Sequence, residues 1–89
     1  MAKTIWKAIL KPTDVQQIMA PDGAEMLCAR EQHEQICVWF RCDPLARLEP
    51  RTLAIVGTGN PAPDEEGRYL GSASLHGGQL MFHVFERAQ

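Results

Sequence analysis

The stretch Gly57-Thr58-Gly59-Asn60 is a candidate binding element, because glycine-rich turns can point backbone N–H groups at an anion. It does not continue as a phosphate-binding loop, since no Gly-Lys-Ser or Gly-Lys-Thr follows and Pro61 and Pro63 prevent the required helix. A dinucleotide fingerprint also fails, because residue 62 is Ala rather than Gly. Two interpretations remain open: glycines that end a strand and shape a turn, or a small anion-binding turn.

Arg41, Arg47 and Arg51 form a second candidate element, because they flank one short segment and could cluster in space. Guanidinium groups bind phosphate and carboxylate groups through paired hydrogen bonds. The cluster therefore predicts an anion-binding patch, and the alternative is an ordinary charged surface. The predicted ligand-binding residues are these three arginines together with Gly57, Thr58, Gly59 and Asn60.

Ser72 and His83 are the one pair whose predicted positions resemble a nucleophile and its base. The sequence places no acidic residue to orient the imidazole, and Ser72 lies on a regular strand. A cross-strand hydrogen bond is the preferred interpretation, so no catalytic residue is assigned. The cysteines Cys28, Cys37 and Cys42 contain no C-x-x-C pair and reach no histidine at zinc-ligand spacing. We therefore expect neither a metal site nor a cofactor.

The composition predicts a single domain over residues 1–89. Hydrophobic residues make up 45% of the 89 residues and charged residues 22%, which is typical of a folded globular protein. The net charge of −2 disfavours nucleic-acid binding, and no apolar run reaches the ~20 residues of a membrane span. An odd number of cysteines and an N-terminus without a secretory signal pattern predict a cytoplasmic protein with buried thiols.

The elements that must position the candidate residues are strands, because hydrophobic side chains recur mainly with a period of two. Strands are predicted over residues 4–10, 14–20, 25–30, 35–41, 51–56, 69–75 and 80–85. Segment 14–20 also fits helical spacing, although flanking prolines disfavour a helix. One short helical turn is predicted over residues 43–49, with Asp43 as its cap. Residues 57–68, which include Asp64, Glu65 and Glu66, are predicted to form an exposed loop.

Two hairpins are predicted with a definite register. The hairpin around Gly77-Gly78 pairs Leu75 with Leu80, Ser74 with Met81, Ala73 with Phe82, Ser72 with His83, Gly71 with Val84 and Leu70 with Phe85. The central hairpin, with its turn within residues 31–34, pairs Ala29 with Ile36, Cys28 with Cys37, Leu27 with Val38 and Met26 with Trp39. The fold class is therefore all-β, a small antiparallel sandwich or barrel of six to seven strands with one short helical turn.

Five short motifs occur in order along the chain: Lys3-Thr4-Ile5-Trp6-Lys7, Pro21-Asp22-Gly23-Ala24-Glu25, Val56-Gly57-Thr58-Gly59-Asn60-Pro61, Tyr69-Leu70-Gly71 and Phe82-His83-Val84-Phe85-Glu86. With these motifs the chain resembles a family of small uncharacterised proteins common in bacteriophages and prophages. The resemblance covers nearly the whole chain. Many members of that family carry His at the position of Asn60.

The resemblance implies a phage or prophage product that acts in the bacterial cytoplasm. Small phage proteins often bind a host factor or sequester a signalling molecule. We therefore expect a non-enzymatic accessory protein that binds a host or phage protein, with a small-molecule or nucleotide-binding protein as the alternative. Homo-oligomerisation is a further expectation, because a small sheet protein can cover an edge or an apolar face with a second copy.

Overall fold

The computed structural model describes residues 2–62 and 67–87 and contains seven β-strands. In chain order these are β1 (Thr4–Leu10), β2 (Val15–Pro21), β3 (Glu25–Gln32), β4 (Gln35–Cys42), β5 (Leu48–Gly57), β6 (Arg68–Leu75) and β7 (Leu80–Glu86). Neither of the two described ranges contains a helix. The predicted all-β fold is confirmed, and segment 14–20 forms a strand despite its helical spacing.

The strands lie in the order β1-β4-β3-β6-β7-β5-β2. Neighbouring strands are antiparallel except β3 and β6, which run parallel and are joined through a single registered pair, Ala29 with Gly71. Each strand contributes buried side chains to one core, for example Leu10, Ala20, Met26, Val38, Leu53, Ala73 and Val84. The sheet therefore bends between β3 and β6 and forms two layers. One layer contains β1, β4 and β3, and the other contains β6, β7, β5 and β2, as expected of a sandwich.

Strand β4 shows why these segments form a sheet. Ile36, Val38 and Phe40 alternate along it, and each is at most 2% exposed. Alternating β-branched and aromatic side chains pack well on one face of a pleated strand. Since β4 lies between β1 and β3, both of its edges are paired with neighbouring strands.

Strands β1 and β2 are consecutive in the chain but form the two ends of the strand order. The connection between them is short, and the side-chain amide of Gln16 makes a pair of hydrogen bonds with the backbone of Lys11. Gln16 Oε1 accepts from Lys11 N at 3.0 Å, and Gln16 Nε2 donates to Lys11 O at 2.7 Å. The Gln16 side chain thus takes the place of a neighbouring strand at Lys11 and joins the end of β1 to the start of β2.

The C-terminal hairpin confirms five predicted pairs, from Leu75 with Leu80 to Gly71 with Val84. The predicted pairing of Leu70 with Phe85 is wrong. A register shift between Tyr69 and Gly71 leaves Leu70 out of the ladder and places Tyr69 opposite Phe85. Such a bulge inserts one residue into a strand and turns the following side chain to the other face.

The register predicted for the β3–β4 hairpin is wrong by two residues, because Ala29 lies opposite Val38 rather than Ile36. The turn residues are His33 and Glu34, which have φ angles of 53° and 62° although neither is glycine. The Glu31 carboxylate accepts a hydrogen bond from the Glu34 N–H at 2.7 Å and so stabilises this turn.

A second shift, between Met26 and Cys28, turns Met26 into the core opposite Phe40. The register set at the turn, rather than this shift, places Cys28 opposite Trp39 and Cys37 opposite Arg30. The predicted opposition of Cys28 and Cys37 is therefore wrong.

Three other segments refine the predicted boundaries. Strand β5 begins at Leu48, earlier than predicted, because Leu48 already pairs with Pro21, the last residue of β2. The helical turn predicted over residues 43–49 is wrong, because Leu48 and Glu49 already belong to β5. Residues 44–46 form a turn instead, in which Asp43 accepts from the N–H groups of Leu45 and Ala46, each at 3.0 Å. Residues 58–62 and Gly67 of the predicted loop are exposed. Asp64, Glu65 and Glu66 lie outside the described residues.

We expect Gly71→Ala to lower the free energy of unfolding by roughly 3 kcal/mol, because strain and a backbone clash add together. Gly71 has a φ of +146°, and a Cβ atom there would lie 2.4 Å from the carbonyl oxygen of Ala29. Gly23→Ala is the matched control, since Gly23 also has a positive φ of +79° but open space around the added atom. The control is expected to lose about 1 kcal/mol. Equal losses in urea unfolding would contradict the importance of the close contact.

Candidate functional site

The predicted turn at residues 57–60 follows β5 and is held against β7. Thr58 donates its N–H to the carbonyl oxygen of Met81 at 3.0 Å, and Asn60 donates to the carbonyl oxygen of Gly57 at 3.0 Å. Thr58, Gly59 and Asn60 are exposed. The turn is therefore an accessible element in a defined position.

His83 on β7 is the centre of the most developed polar arrangement near this turn. Its Nε2 atom lies 2.8 Å from Thr58 Oγ1, and its Nδ1 atom lies 2.9 Å from the hydroxyl oxygen of Tyr69. A neutral imidazole carries one donor and one acceptor nitrogen, so one hydroxyl group donates to the ring and the other accepts from it. Both ring nitrogens are thus used to position side chains.

Tyr69 reaches His83 because of the bulge in β6. Its ring packs edge-on against Phe85 with the centroids 5.1 Å apart, and it lies 5.9 Å from the His83 ring. Tyr69 nevertheless remains 51% exposed. We call Tyr69, His83, Phe85 and Thr58 the aromatic cluster. It presents an exposed phenol ring whose orientation is fixed from two sides.

The structure places Ser72 opposite His83 as predicted, but the predicted hydrogen bond between them is wrong. His83 is bonded to Thr58 and Tyr69 instead. Ser72 lines a separate surface groove of about 460 Å³ between β3 and β6, together with Cys28, Arg30 and Ser74. Among the described residues, no carboxylate is hydrogen-bonded to His83, so the arrangement lacks the acidic partner of a catalytic triad.

The three predicted arginines come together around the connection between β2 and β3. Arg51 Nη1 donates to the carbonyl oxygen of Ala24 at 2.7 Å, and Arg41 lies 3.7 Å from the Glu25 carboxylate. The carbonyl oxygen of Arg47 accepts from the N–H of Asp22 at 2.7 Å. A groove of about 500 Å³ runs beside this cluster, and Asp22, Gly23, Ala24, Glu49, Pro50 and Arg51 line it.

Each of these guanidinium groups also faces a carboxylate of the protein. Arg47 pairs with Glu49 at 3.4 Å on the surface, and Arg51 Nε donates to Glu86 at 2.7 Å in a partly buried pair. Acidic partners reduce the attraction that the arginines exert on an external anion. Through the Ala24 carbonyl group and the Glu86 carboxylate, Arg51 joins the β2–β3 connection to the start of β5 and the end of β7.

The predicted ligand-binding residues therefore occupy two places. Gly57 lies six positions beyond Arg51 along β5, which corresponds to about 20 Å at ~3.3 Å per residue. The turn adjoins the aromatic cluster, whereas the arginines surround the β2–β3 connection. Sequence reasoning missed Thr58 and Tyr69 as partners of His83. Gly71 was the available signal, because a glycine inside a strand often accompanies a bulge.

A family model described as a domain of unknown function (DUF7352) matches residues 1–89. The chain belongs to this family. The predicted membership of an uncharacterised family is thereby confirmed. Comparison with curated proteins gave no match, and comparison with solved structures gave none either.

Two further observations concern the described residues. Within residues 2–62 and 67–87, no group of three or more His, Cys, Asp or Glu side chains is arranged to hold a metal ion. No helix in this part of the chain has the length and apolar character needed to cross a bilayer.

We expect Arg51→Ala to destabilise the protein by about 2 kcal/mol, because Glu86 and the Ala24 carbonyl group would lose a partner in a partly buried place. The Arg51 and Glu86 side chains are only 20% and 14% exposed. Arg47→Ala is the matched control, since its side chain is 86% exposed, and we expect a change below about 0.5 kcal/mol. Urea unfolding measures both values. Similar values for the two variants would show that the Arg51 pair has no special structural role.

The three thiols are expected to react at different rates. Cys37 and Cys42 are each 1% exposed, whereas Cys28 is partly exposed. Burial raises the pKa of the Cys37 and Cys42 thiols above the ordinary value, so less of the reactive thiolate is present at neutral pH. A thiol reagent at pH 7.5 should therefore label Cys28 at least about tenfold faster than the other two. Mass spectrometry of the labelled peptides measures the rates, and the urea-unfolded chain is the control.

Proposed function

We propose that the protein is a non-enzymatic binding protein of phage or prophage origin, and that it acts in the bacterial cytoplasm by binding a host or phage protein through the aromatic cluster. The resemblance of its motifs to phage and prophage proteins supports the origin and the compartment. The family match leaves the activity open.

The exposed and immobilised ring of Tyr69 carries the proposal. Tyr69 is 51% exposed, yet its hydroxyl group is bonded to His83 and its ring packs on Phe85. Tyrosine is enriched at the energetic centres of protein interfaces. A side chain that is already fixed loses little conformational entropy when a partner covers it.

The surroundings of the cluster fit an interface. Val15, Ala54, Phe85 and Tyr69 lie in register across the outer face of the β6-β7-β5-β2 layer. Val15 is 48% exposed, and Met81 on the same layer is 40% exposed. An apolar centre with polar groups such as Thr58 and Ser72 beside it is the composition expected of a binding surface.

Homo-oligomerisation remains part of the proposal. Strands β1 and β2 end the strand order, so each has one side without a neighbouring strand in the described sheet. Free sheet edges are a common route to association with a second copy.

A specific observation also favours the alternative of a small-molecule or nucleotide ligand. The hydrogen bond between Thr58 and His83 brings the 57–60 turn beside the Tyr69 ring. A stacking surface next to an exposed turn suits a nucleotide base, although Thr58 and Asn60 of the turn already donate their N–H groups within the protein. The three predicted arginines do not support this alternative. They contact the β2–β3 connection, at the opposite end of β5 from the 57–60 turn.

Native mass spectrometry of the tagged protein, purified gently from a bacterial lysate, tests the proposal. We expect a stoichiometric protein partner that Tyr69→Ala weakens at least tenfold, which corresponds to ~1.4 kcal/mol of binding free energy. Tyr69→Phe should have a smaller effect, since it retains the ring and loses only the hydroxyl group. Leu45→Ala is the control, because Leu45 is 79% exposed on the 43–47 turn away from the cluster.

A bound mass of a few hundred daltons that depends on Tyr69 would replace the proposal with the alternative. Partner binding that survives Tyr69→Ala, in a variant shown by circular dichroism to be folded, would exclude the aromatic cluster as the interface.

A further inference from the structure

Strand β1 carries an unusual stripe on its outer face. Alternate residues of a strand point to the same side, so Lys3, Ile5, Lys7, Ile9 and Lys11 share one face. Of the intervening residues, Leu10 is only 3% exposed and Ala8 packs against the core, whereas Trp6 packs on Phe40 but remains 38% exposed. The stripe contains every lysine of the chain. A protein of net charge −2 thus concentrates its ammonium groups along one sheet edge.

The lysines of this stripe differ from the arginines in their partners. All three ion pairs among the described residues use an arginine. Lys7 donates to the side-chain oxygen of Gln32 on β3 at 2.7 Å, so its ammonium group extends across β4 on the outer face. Lys3 and Lys11 take part in none of the three ion pairs of the described residues, so their charges are available to an external group.

Lysines alone on an edge strand are a common protection against unwanted strand pairing. The isoleucines of this stripe make that explanation incomplete. Ile5 is 58% exposed and Ile9 is 52% exposed, and each lies between two lysines. Beyond Ile9, a surface groove of about 480 Å³ is lined partly by Leu10, Ile36 and Leu75. A purely protective edge would gain nothing from exposing these apolar groups.

We propose that the outer edge of β1 is a docking site for an extended acidic segment of a partner protein, which adds as a strand beside β1. The outward backbone N–H and C=O groups of Ile5, Lys7 and Ile9 would supply the main-chain hydrogen bonds, whereas those of Lys11 are bonded to Gln16. The partner segment would alternate acidic side chains, which face the lysines, with apolar side chains, which cover Ile5 and Ile9.

Pairing of β1 with β1 of a second copy fits the stripe poorly. An antiparallel pair centred on Lys7 would place Lys7 opposite Lys7 and Lys3 opposite Lys11, and like charges directly opposite each other destabilise a sheet. Charge complementarity therefore favours an acidic partner over a second copy. The docking site is also separate from the aromatic cluster, because the two lie on different layers.

The test uses the full chain and a labelled nine-residue peptide with the sequence Glu-Thr-Val-Thr-Glu-Thr-Val-Thr-Glu, which matches the spacing of Lys3, Lys7 and Lys11. Fluorescence anisotropy measures its binding. We expect saturable binding that weakens as salt is added and is at least about tenfold tighter than binding of a peptide with Lys in place of Glu. A peptide N-methylated at both Val residues should also lose binding, because the N–H groups directly opposite Ile5 and Ile9 can no longer donate the main-chain hydrogen bonds.

On the protein side, Lys7→Glu should weaken binding of the acidic peptide by about tenfold. Arg68→Glu, an equal charge change on an exposed residue of the other layer, should have less than about a twofold effect. Tyr69→Ala should not change peptide binding, so the outcome is independent of the function proposed above. Circular dichroism establishes that each variant is folded.

Three results would overturn the inference. Equal binding of the acidic and basic peptides would show that charge complementarity does not determine which segment binds this edge. Undiminished binding of the N-methylated peptide would show electrostatic attraction without strand addition. Self-association in analytical ultracentrifugation that Lys7→Glu abolishes would identify a second copy as the occupant of this edge.

Discussion

The close backbone contact between Ala29 and Gly71 is the constraint on which the rest of the structure depends. It is the single registered pair between β3 and β6, so the two layers of the fold are joined there. Only a residue without a side chain lets the backbone of β6 approach the Ala29 carbonyl group so closely. The bulge beside Gly71 then places Tyr69 opposite Phe85 and next to His83. The architecture of the aromatic cluster is thus a consequence of how the layers join.

Local signals in the sequence were sufficient to predict the strands and one hairpin. Apolar alternation together with segment length and flanking prolines predicted the seven strands, and Gly77-Gly78 located the C-terminal turn because glycine adopts positive φ angles readily. The β3–β4 turn carries no such signal. His33 and Glu34 adopt positive φ angles there without glycine, and the Glu31 carboxylate that stabilises the turn is recognisable only once the register is known.

The candidate site was predictable only in part for a related reason. The 57–60 turn and the clustering of three arginines followed from types and spacing in the sequence. The partners of these residues did not. Thr58 with His83 and Arg51 with Glu86 are contacts between strand regions 25 and 35 residues apart, which depend on the pairing of β5 with β7. The contact of Tyr69 with His83 lies within the predicted hairpin but depends on the bulge in β6.

The hydrogen bond from the His76 N–H to the Glu34 carboxylate has a consequence for how the chain reaches its native state. It joins the turns of two hairpins that are 42 residues apart in the sequence, the same separation as Ala29 and Gly71. Formation of each hairpin closes only a short loop. Joining the two hairpins closes a long loop, and the entropy lost in that step is offset only when the core packs. Folding is therefore expected to be limited by the meeting of two preformed hairpins, on the slow timescale typical of sheets with non-local pairing.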